Sequence, residues 1–281
     1  MPLFKEELRH FVSAVLDEDI GTGDLTTLAT IPADAMLKAE MNARETMVIA
    51  GIEIAAKIIH TVDSAIMIEI LAQDGTEVTP GNVIMRLEGN ARNILTAERS
   101  ALNILQHLSG IATLTRQYIR KIEHTDCRLL DTRKTIPMLR KLAKYAARMG
   151  GAMNHRMRLD DGILIKDNHI ASIGSVEKAV RAAKNYGTNN SSIGITVECD
   201  TLEQAEEAVD AGADRLLLDN MSIDMLNTAV SKYKGIVKLE ASGGVTLETI
   251  KMIAETGVDF ISVGRITQSA PAVDIGLDYL N

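Results

Sequence analysis

Two segments of the sequence repeat one pattern, and this repeat restricts the fold more than any other feature. Residues 201–219 (TLEQAEEAVDAGADRLLLD) and 246–264 (TLETIKMIAETGVDFISVG) both begin with Thr-Leu-Glu, carry Gly-x-Asp eleven residues after the threonine, and end in an apolar run. The threonines predict helix N-caps, Gly212 and Gly257 predict C-caps, and each aspartate begins the next strand. A repeated helix–strand unit is typical of the parallel sheet of an α/β protein.

Short apolar runs continue this rhythm through the second half of the chain. They lie at 127–130, 163–165, 193–197, 215–218, 236–239 and 259–263, with helical patterns in most of the gaps. These runs number about six, fewer than the eight strands of a complete (β/α)₈ barrel. We therefore predict an incomplete, TIM-like α/β barrel over residues 110–272, with an open doubly wound sheet as the alternative.

The first half of the chain predicts a different unit, because its helices and strands do not alternate regularly. We expect an α+β sandwich domain over residues 1–109, with residues 273–281 packing back on it. Gly110 is expected to mark a bend or junction in the connecting helix. The predicted elements are helices near 3–15, 52–62 and 96–114, strands at 37–44, 66–71 and 83–87, and a loop at 18–27.

The charge distribution favours a small anionic ligand. The 281-residue chain has a net charge of −8, yet residues 131–170 hold nine of its thirty Lys and Arg. A local basic segment in an acidic chain differs from the domain-wide basic face that nucleic acid demands. We therefore expect no nucleic-acid partner.

The remaining composition predicts a cytoplasmic protein without a membrane partner. No run approaches the ~20 apolar residues of a membrane helix, and the N-terminal stretch has no signal-peptide pattern. Cys127 and Cys199 lack the spacing of a metal site or a disulfide framework. We expect both to be reduced, buried thiols.

Charged residues and glycines follow the ends of the apolar runs. In a parallel α/β barrel the active site lies at the carboxyl ends of the strands, so these residues predict its position. They are Asp131 with Arg133, Lys166, Glu198, Asp219, Glu240 with Ser242, and Gly264.

Two glycine motifs among them, Ser242-Gly243-Gly244 and Val263-Gly264, predict a phosphate-binding concavity of backbone N–H groups. Ordinary tight turns are the alternative for each motif. Glu198 and Asp219 could hold a hydrated Mg²⁺ or accept hydrogen bonds from sugar hydroxyls.

The cations divide into candidates for the site and candidates for the surface. Carboxylates or phosphates could be clamped by Arg133, Lys134, Arg156 and Lys166. A solvated helix face suits Arg140, Lys141, Lys144 and Arg148, which recur at helical spacing. His155 is a donor, a proton carrier or structural, and His169 is interpreted as structural. From pattern alone, Arg99 is a solvated helix arginine.

Several long motifs carry a family resemblance. In chain order these motifs are EDIGTGDLTT, LDTRKTIPMLRKLAKYA, GGAMNHR, LIKDNHI and EASGGV, and together they resemble quinolinate phosphoribosyltransferases over nearly the whole chain. The resemblance implies a sandwich domain followed by an incomplete barrel. It also implies a homodimer or higher oligomer, in which the sandwich domain of one subunit covers the barrel mouth of another. The implied reaction joins quinolinate to phosphoribosyl pyrophosphate (PRPP), giving nicotinate mononucleotide, pyrophosphate and CO₂ in NAD synthesis.

The resemblance also implies roles for individual residues. Arg99 reaches a neighbouring subunit's site, and Lys134 lies near the reacting end of the ligand. Glu198 and Asp219 engage the ribose and Mg²⁺, directly or through water, and with Lys134 form the implied catalytic set. The two carboxylates of quinolinate are surrounded by Thr132, Arg133, His155, Arg156 and Lys166. The phosphate is held by Ser242, Gly243, Gly244, Val263, Gly264 and Arg265.

Four residues depart from the family pattern, and three rival functions stay open. The departures are Ile136, Met138, Arg158 and Arg265. The first rival is an enzyme on the same scaffold that acts on nicotinate, or the molybdate-associated paralogue. The second is a Schiff-base aldolase using Lys134 or Lys166. The third is a phosphometabolite-binding protein without catalytic activity.

Overall fold

The computed structural model describes residues 5–187 and 194–280, and the chain divides into two compact units. Unit 1 contains the described residues up to Arg116, Ile136–Gly151, and those from Ser269 onward; unit 2 contains Gln117–Thr135 and the described part of Ala152–Gln268. Helix α4 (Ala91–Ile122) runs unbroken past residue 109.

Unit 1 combines helices with a small antiparallel sheet. Its other helices are α1 (Lys5–Ile20), α2 (Leu25–Thr30), α3 (Ile52–Val62) and α5 (Arg140–Gly150). Its strands are β1 (Met36–Ala43), β2 (Met47–Val48), β3 (Met67–Ile70), β4 (Glu77–Val78), β5 (Val83–Asn90) and β12 (Ile275–Tyr279). Among the described residues the main sheet has the order β12-β1-β5-β3, with antiparallel neighbours, and β2 pairs with β4.

The strand predicted at 37–44 is β1, and burial alternates along its centre. Ala39 and Met41 are buried, while the intervening Glu40 is half-buried and pairs with Arg86 at 2.8 Å. The register with β5 shifts after Met41, so Asn42 is buried too and donates to Asp278 of β12 at 2.9 Å. Residues from 275 onward therefore complete this sheet.

The loop predicted at 18–27 is wrong in extent, because helix α1 continues to Ile20 and α2 begins at Leu25. Asp24 is the N-cap of α2 and accepts a hydrogen bond from Thr27 N at 3.0 Å. The side-chain hydroxyl and backbone N–H of Thr27 hold the pKa of Asp24 below its usual value. A capping aspartate thus turns half of the polar segment into helix.

Gly110, predicted to mark a bend or junction in the connecting helix, lies within α4. Helix α4 passes through this residue, and a Cβ there would lie 2.0 Å from the carbonyl oxygen of Pro271. Glycine is needed at this position because two stretches of backbone approach closely, not because the chain turns.

The solvated face predicted for α5 is wrong for Lys144. Lys144 is fully buried, and Arg148 is the exposed member of the four basic residues. Lys141 pairs with Glu7, and Arg148 stacks 5.8 Å from the centre of the Tyr145 ring. Basic residues at helical spacing can therefore also be packed against the protein, because their aliphatic stems cover apolar surface.

Unit 2 alternates strands and helices. Its strands are β6 (Arg128–Leu130), β7 (Ile163–Ile165), β8 (Ile195–Cys199), β9 (Arg215–Asp219), β10 (Lys238–Ser242) and β11 (Phe260–Ser262). Its helices are α6 (Asp167–Ile173), α7 (Val176–Gly187), α8 (Leu202–Asp210), α9 (Ile223–Tyr233), α10 (Ile250–Glu255) and α11 (Arg265–Gln268).

The strand order confirms an incomplete barrel. Within the described residues one parallel sheet of six strands has the order β6-β11-β10-β9-β8-β7. Strands β7 to β11 are neighbours in chain order, and β6 pairs with the last of them. A doubly wound sheet instead reverses its order at a switch point. Met153 adds one parallel bridge beside Leu130, which extends the sheet past β6 without pairing β6 to β7.

The two repeated segments fold alike. Asp214 and Asp259 each donate their backbone N–H to the strand before them in the sheet, and each side chain accepts an N–H from that strand (Ile195 N at 2.7 Å, Leu239 N at 2.9 Å). Gly212 and Gly257 have φ of 82° and 94°, as C-cap glycines require.

The predicted N-cap is confirmed in the first repeat, at Thr201, and is wrong in the second, at Thr246. Thr201 caps α8 through Gln204 N at 3.3 Å. Thr246 instead opens a turn, and α10 begins at Ile250. Among residues 5–187 and 194–280, no helix combines the length and the apolar content needed to span a bilayer.

Candidate active site

The carboxyl ends of the parallel strands converge on one cavity. Side chains two residues apart on a strand point the same way, so the inward positions of β8, β9 and β10 end at Glu198, Asp219 and Ser242. The cavity has a volume of about 390 Å³. It is lined by Thr132, Arg133, Lys134, His155, Arg156, Leu164, Lys166, Glu198, Leu217, Asp219, Glu240, Ser242 and Ser262.

Two arginines give the cavity an anion-binding character. Arg133 has a buried Nε with no hydrogen-bond partner among the described residues. Arg156 donates from Nη1 to the carbonyl of Gly162 at 2.8 Å. Burial, followed by repulsion from Arg133, lowers the pKa of Arg156. Because both cations line one cavity and repel each other, binding of an anion near them would be favourable.

Lys166 and Glu198 form an ion pair across neighbouring strands. Their Nζ and Oε2 atoms are 2.7 Å apart, and the Glu198 side chain is 14% exposed against 46% for Lys166. Lys166 is also the N-cap of α6, and its backbone N–H donates to His169 Nδ1 at 3.0 Å. This contact agrees with a structural interpretation of His169.

The backbone of Lys134 is held on both sides. Its N–H donates to Thr132 Oγ1 at 3.0 Å, and its carbonyl accepts from Thr267 Oγ1 at 2.8 Å. A Cβ on Gly264 would lie 2.8 Å from Lys134 Cδ, so glycine leaves room for the lysine side chain. The aliphatic part of Lys134 therefore packs against the second glycine motif.

His155 is fixed by a buried aspartate. Asp131, fully buried at the end of β6, accepts from the backbone N–H of His155 at 2.8 Å and from the side chain of Asn154. His155 Nδ1 accepts from Arg156 N at 2.7 Å, and Nε2 lies 3.7 Å from Glu240 Oε1. Asp131 therefore holds the backbone of His155, while Arg156 and Glu240 lie next to its imidazole.

The first glycine motif adopts a backbone that other residues avoid. Gly243 and Gly244 have φ of 90° and 60°, and a Cβ on Gly243 would lie 2.1 Å from Asn220 Oδ1. Asn220 itself has φ of 53° and donates its N–H to Ser242 O at 2.9 Å. The β9 and β10 loops therefore interlock at this point.

The other predicted site residues lie outside the cavity lining. Val263 is buried and Gly264 half-buried next to Lys134. Arg265 is exposed, and its charge acts on Tyr118 and Glu248. Arg99 is exposed on α4 in unit 1.

Site residues without an assigned role in the sequence analysis include Asp131, Glu240, Ser262 and Asn220. The period-two alternation of β10 and β11 was a usable signal for Glu240 and Ser262. No signal in the sequence could have found the hydrogen bond from the His155 N–H to Asp131, because the two residues are 24 positions apart.

Within the described part of the chain three carboxylates line the cavity, and one of them, Glu240, is paired with Arg215. Among the described residues no group of three or more His, Cys, Asp or Glu side chains could hold a metal ion. Glu198 and Asp219, at the ends of adjacent strands, suit a hydrated Mg²⁺ that also binds phosphate oxygens.

Fold and site together define an α/β-barrel protein that binds a small, multiply charged anion at the carboxyl ends of its strands. Residues 24–109 match the family described as "Quinolinate phosphoribosyl transferase, N-terminal domain", and residues 111–278 match its "C-terminal domain". The chain belongs to the quinolinate phosphoribosyl transferase family.

Individual relatives agree with this assignment. The chain is 42% identical over 265 residues to a probable carboxylating nicotinate-nucleotide pyrophosphorylase of Synechocystis, covering 93% of this chain and 89% of the relative. It is 41% identical to the decarboxylating quinolinate phosphoribosyltransferase 2b of Nicotiana tabacum, covering 96% and 82%. The solved nicotinate-nucleotide pyrophosphorylase of Francisella tularensis superposes with a TM-score of 0.93 at 41% identity, covering 99% and 98%.

Proposed function

We propose that this protein transfers the phosphoribosyl group of PRPP to quinolinate with loss of CO₂. The products are nicotinate mononucleotide and pyrophosphate, a step of NAD synthesis. One observation carries the proposal: a single cavity is lined both by cations and by two carboxylates from adjacent strands, Glu198 and Asp219. The cations, which we call the cationic half, are Arg133, Lys134, Arg156 and Lys166. The cationic half would bind a dicarboxylate, and the carboxylates would bind a phosphosugar.

Quinolinate would bind between the two facing arginines. Arg133 and Arg156 supply planar donor groups that suit carboxylates, and Lys166 and His155 add further donors on the same cavity wall. Thr132 lines the cavity beside them. The repulsion between the two arginines is relieved when an anion lies between them, which favours a ligand with two carboxylates over one with a single carboxylate.

Phosphoribosyl transfer would take place at the junction of the two halves. Loss of pyrophosphate builds oxocarbenium character at the anomeric carbon, which Glu198 and Asp219 can stabilise. Lys134 would lie at the reacting end, where a fixed ammonium stabilises negative charge that builds in the transition state. Mg²⁺ would be held by Glu198 and Asp219, directly or through water, and would neutralise pyrophosphate oxygens.

Decarboxylation would follow transfer. Once the pyridine nitrogen carries the ribose it is cationic, so it stabilises the carbanion left when the adjacent carboxylate departs as CO₂. Exchange of label between CO₂ and free quinolinate in the absence of PRPP would contradict this order.

The phosphate of PRPP would bind at the two glycine motifs. Ser242 lines the cavity, and Gly243 and Gly244 follow it with positive φ. Val263, Gly264 and Arg265 would extend this site at the start of α11. Backbone N–H groups of such loops bind phosphate oxygens without requiring a side chain.

The proposal includes a homodimer or higher oligomer with shared sites. Exposed Arg99 on α4 would enter the site of a neighbouring subunit. Co-expression of Arg99→Ala with Lys134→Ala subunits tests this. A dimer with shared sites regains about a quarter of wild-type activity, because half of the dimers are mixed and each contains one intact site. Sites built within one subunit regain none.

A cytoplasmic location is also proposed. Its support is that Cys127 and Cys199 are both free thiols and both buried. Reduced thiols of this kind are usual where the cell keeps thiols reduced.

The test of the reaction is to incubate the protein with Mg²⁺, PRPP and either quinolinate or nicotinate. We expect CO₂ and pyrophosphate in equal amounts with quinolinate and neither with nicotinate. Product from nicotinate alone would overturn the substrate assignment. Binding of PRPP without release of pyrophosphate would favour a phosphometabolite-binding protein. Trapping of a substrate adduct on Lys134 or Lys166 by borohydride would favour an aldolase.

A further inference from the structure

Asn220, the residue that follows β9, has a backbone conformation that residues with a side chain usually avoid. Among the described residues only Met138 and Asn220 are non-glycine residues with a positive φ, at 67° and 53°. Asparagine tolerates this left-handed region better than most residues, but glycine tolerates it better still. An asparagine at this position, next to a residue that lines the cavity, therefore indicates that its side chain has a function.

The side chain of Asn220 holds the carboxylate of Asp219. Its Nδ2 donates to Asp219 Oδ2 at 2.6 Å, a short hydrogen bond to a charged acceptor. Asp219 is half-buried and lines the cavity. Because one oxygen of the carboxylate is bound in this way, the Asp219 side chain is restricted in rotation, and Oδ1 is left for a ligand.

Asn220 is itself held by the loop after β10. Its backbone N–H donates to the carbonyl of Ser242 at 2.9 Å. Its side chain occupies the space that a Cβ on Gly243 would take, since that atom would lie 2.1 Å from Asn220 Oδ1 and 2.5 Å from Asn220 Cγ. The absence of a side chain on Gly243 therefore leaves room for the Asn220 amide at this position.

Asn220 thereby connects two parts of the site to which the proposed function assigns PRPP. Asp219 would bind the ribose and Mg²⁺, and Ser242 and Gly243 begin the glycine motif that would bind the phosphate. Asp219 and Ser242 are also register partners on the neighbouring strands β9 and β10. Quinolinate, which would bind at the cationic half, does not depend on this connection.

Resting on the proposed function, we infer that Asn220 is a positioning residue for PRPP, whose amide fixes the Asp219 carboxylate and whose backbone ties it to the first glycine motif. Asn220 acts through Asp219 and is not itself a catalytic residue. The simpler alternative is that asparagine is present only because it tolerates a positive φ. Replacement by glycine distinguishes the two, because glycine keeps the backbone conformation and removes only the amide.

The first test compares crystal structures of the ligand-free wild type and of Asn220→Gly. In the wild type we expect Asn220 Nδ2 within hydrogen-bond distance of Asp219. In the variant we expect the same loop backbone, with the Asp219 carboxylate in a different rotamer or in several. An Asp219 rotamer that is unchanged in the variant would overturn the inference, as would a wild-type structure without the contact.

The second test separates positioning from general stability. In Asn220→Gly, KM for PRPP should rise about fivefold to tenfold, the loss expected when a hydrogen bond that orders a charged group is removed, while KM for quinolinate stays within about twofold. The melting temperature should stay close to that of the wild type, because glycine favours a positive φ. Asn82→Gly is the matched control: the Asn82 side chain accepts from Thr79 N in a turn of unit 1, and its loss should change neither KM.

Three outcomes would contradict the inference: an unchanged KM for PRPP in Asn220→Gly, an equal rise in both KM values, and a large decrease in melting temperature. The last two would show that the Asn220 side chain serves the stability of the fold and not the position of Asp219. Absence of any turnover in the wild type would count against the proposed function, and the crystal structures would still decide whether Asn220 positions Asp219.

Discussion

At the scale of single residues, Arg133 and Arg156 are the cations that we expect to decide which ligands the cavity accepts. Arg133 has a buried Nε without a partner among the described residues, and burial, followed by repulsion from Arg133, lowers the pKa of Arg156. Neither effect depends on which ligand binds. A site that holds two guanidinium groups close together is already arranged for an anion before the anion binds.

We predict that Arg133→Lys raises KM for quinolinate about tenfold to a hundredfold, because an ammonium cannot replace the planar, paired donors of a guanidinium. Steady-state kinetics with saturating PRPP measures this. Arg181→Lys, an exposed arginine paired with Glu177 on α7, is the control and should behave as wild type. A KM for quinolinate that is unchanged in Arg133→Lys would remove this residue from the site.

The two cysteines should be unreactive in the folded protein. Burial raises the pKa of Cys127 and of Cys199 from 9.0 to about 12. At pH 8 both are protonated and shielded, so a thiol reagent should modify neither until the chain unfolds. Because the folded pKa lies above the unfolded one, the free energy of unfolding should decrease as pH rises above 9. Rapid labelling of the native protein at pH 8 would contradict this.

At the scale of elements, the loop after β10 depends on a contact with the loop after β9. Gly243→Ala introduces both a strained φ of 90° and a Cβ 2.1 Å from Asn220 Oδ1. Gly235→Ala is a matched control, since Gly235 has φ of 86° with nothing within 4 Å of the added Cβ. Comparison of the two variants separates the effect of backbone strain from that of the steric clash with Asn220.

We predict that Gly243→Ala loses PRPP binding, whereas Gly235→Ala keeps it and is destabilised by about 1–2 kcal/mol, the cost of a non-glycine residue in the left-handed region. Titration calorimetry with PRPP and thermal melting measure the two effects. Equal PRPP affinity in both variants would show that the β10 loop does not bind the phosphosugar.

At the scale of the whole molecule, the site is a local positive region in a protein of net charge −8. Such an arrangement attracts small anions to one place while the remaining surface repels them. The folded state binds the ligand and the unfolded state does not, so ligand binding must stabilise the fold.

We predict that quinolinate alone raises the melting temperature, with about 2.7 kcal/mol of added stability at a concentration of one hundred times Kd. The increase should shrink as salt is added, since salt screens the attraction. Differential scanning calorimetry measures it, with nicotinate as the control ligand. An equal stabilisation by nicotinate would argue against a site built for two carboxylates.

Local patterns in the sequence were sufficient for much of the fold. The helix at 52–62 and the strand at 163–165 coincide with α3 and β7, because apolar spacing and flanking polar residues fix such elements without distant partners. The repeat at residues 201 and 246 was enough to predict a parallel sheet. The failures, at residues 18–27 and Lys144, are places where a cap or close packing overrides the pattern.

The sequence by itself determined the strands, their carboxyl-end residues and the family, since these depend on residue type and on order along the chain. The tertiary structure alone decided which of those residues meet. It placed Arg133 beside Arg156, Lys166 beside Glu198, and Glu240 between Arg215 and His155. The physical reason is that the parallel sheet brings together residues far apart in sequence, and their charges interact more strongly where water is partly excluded between them.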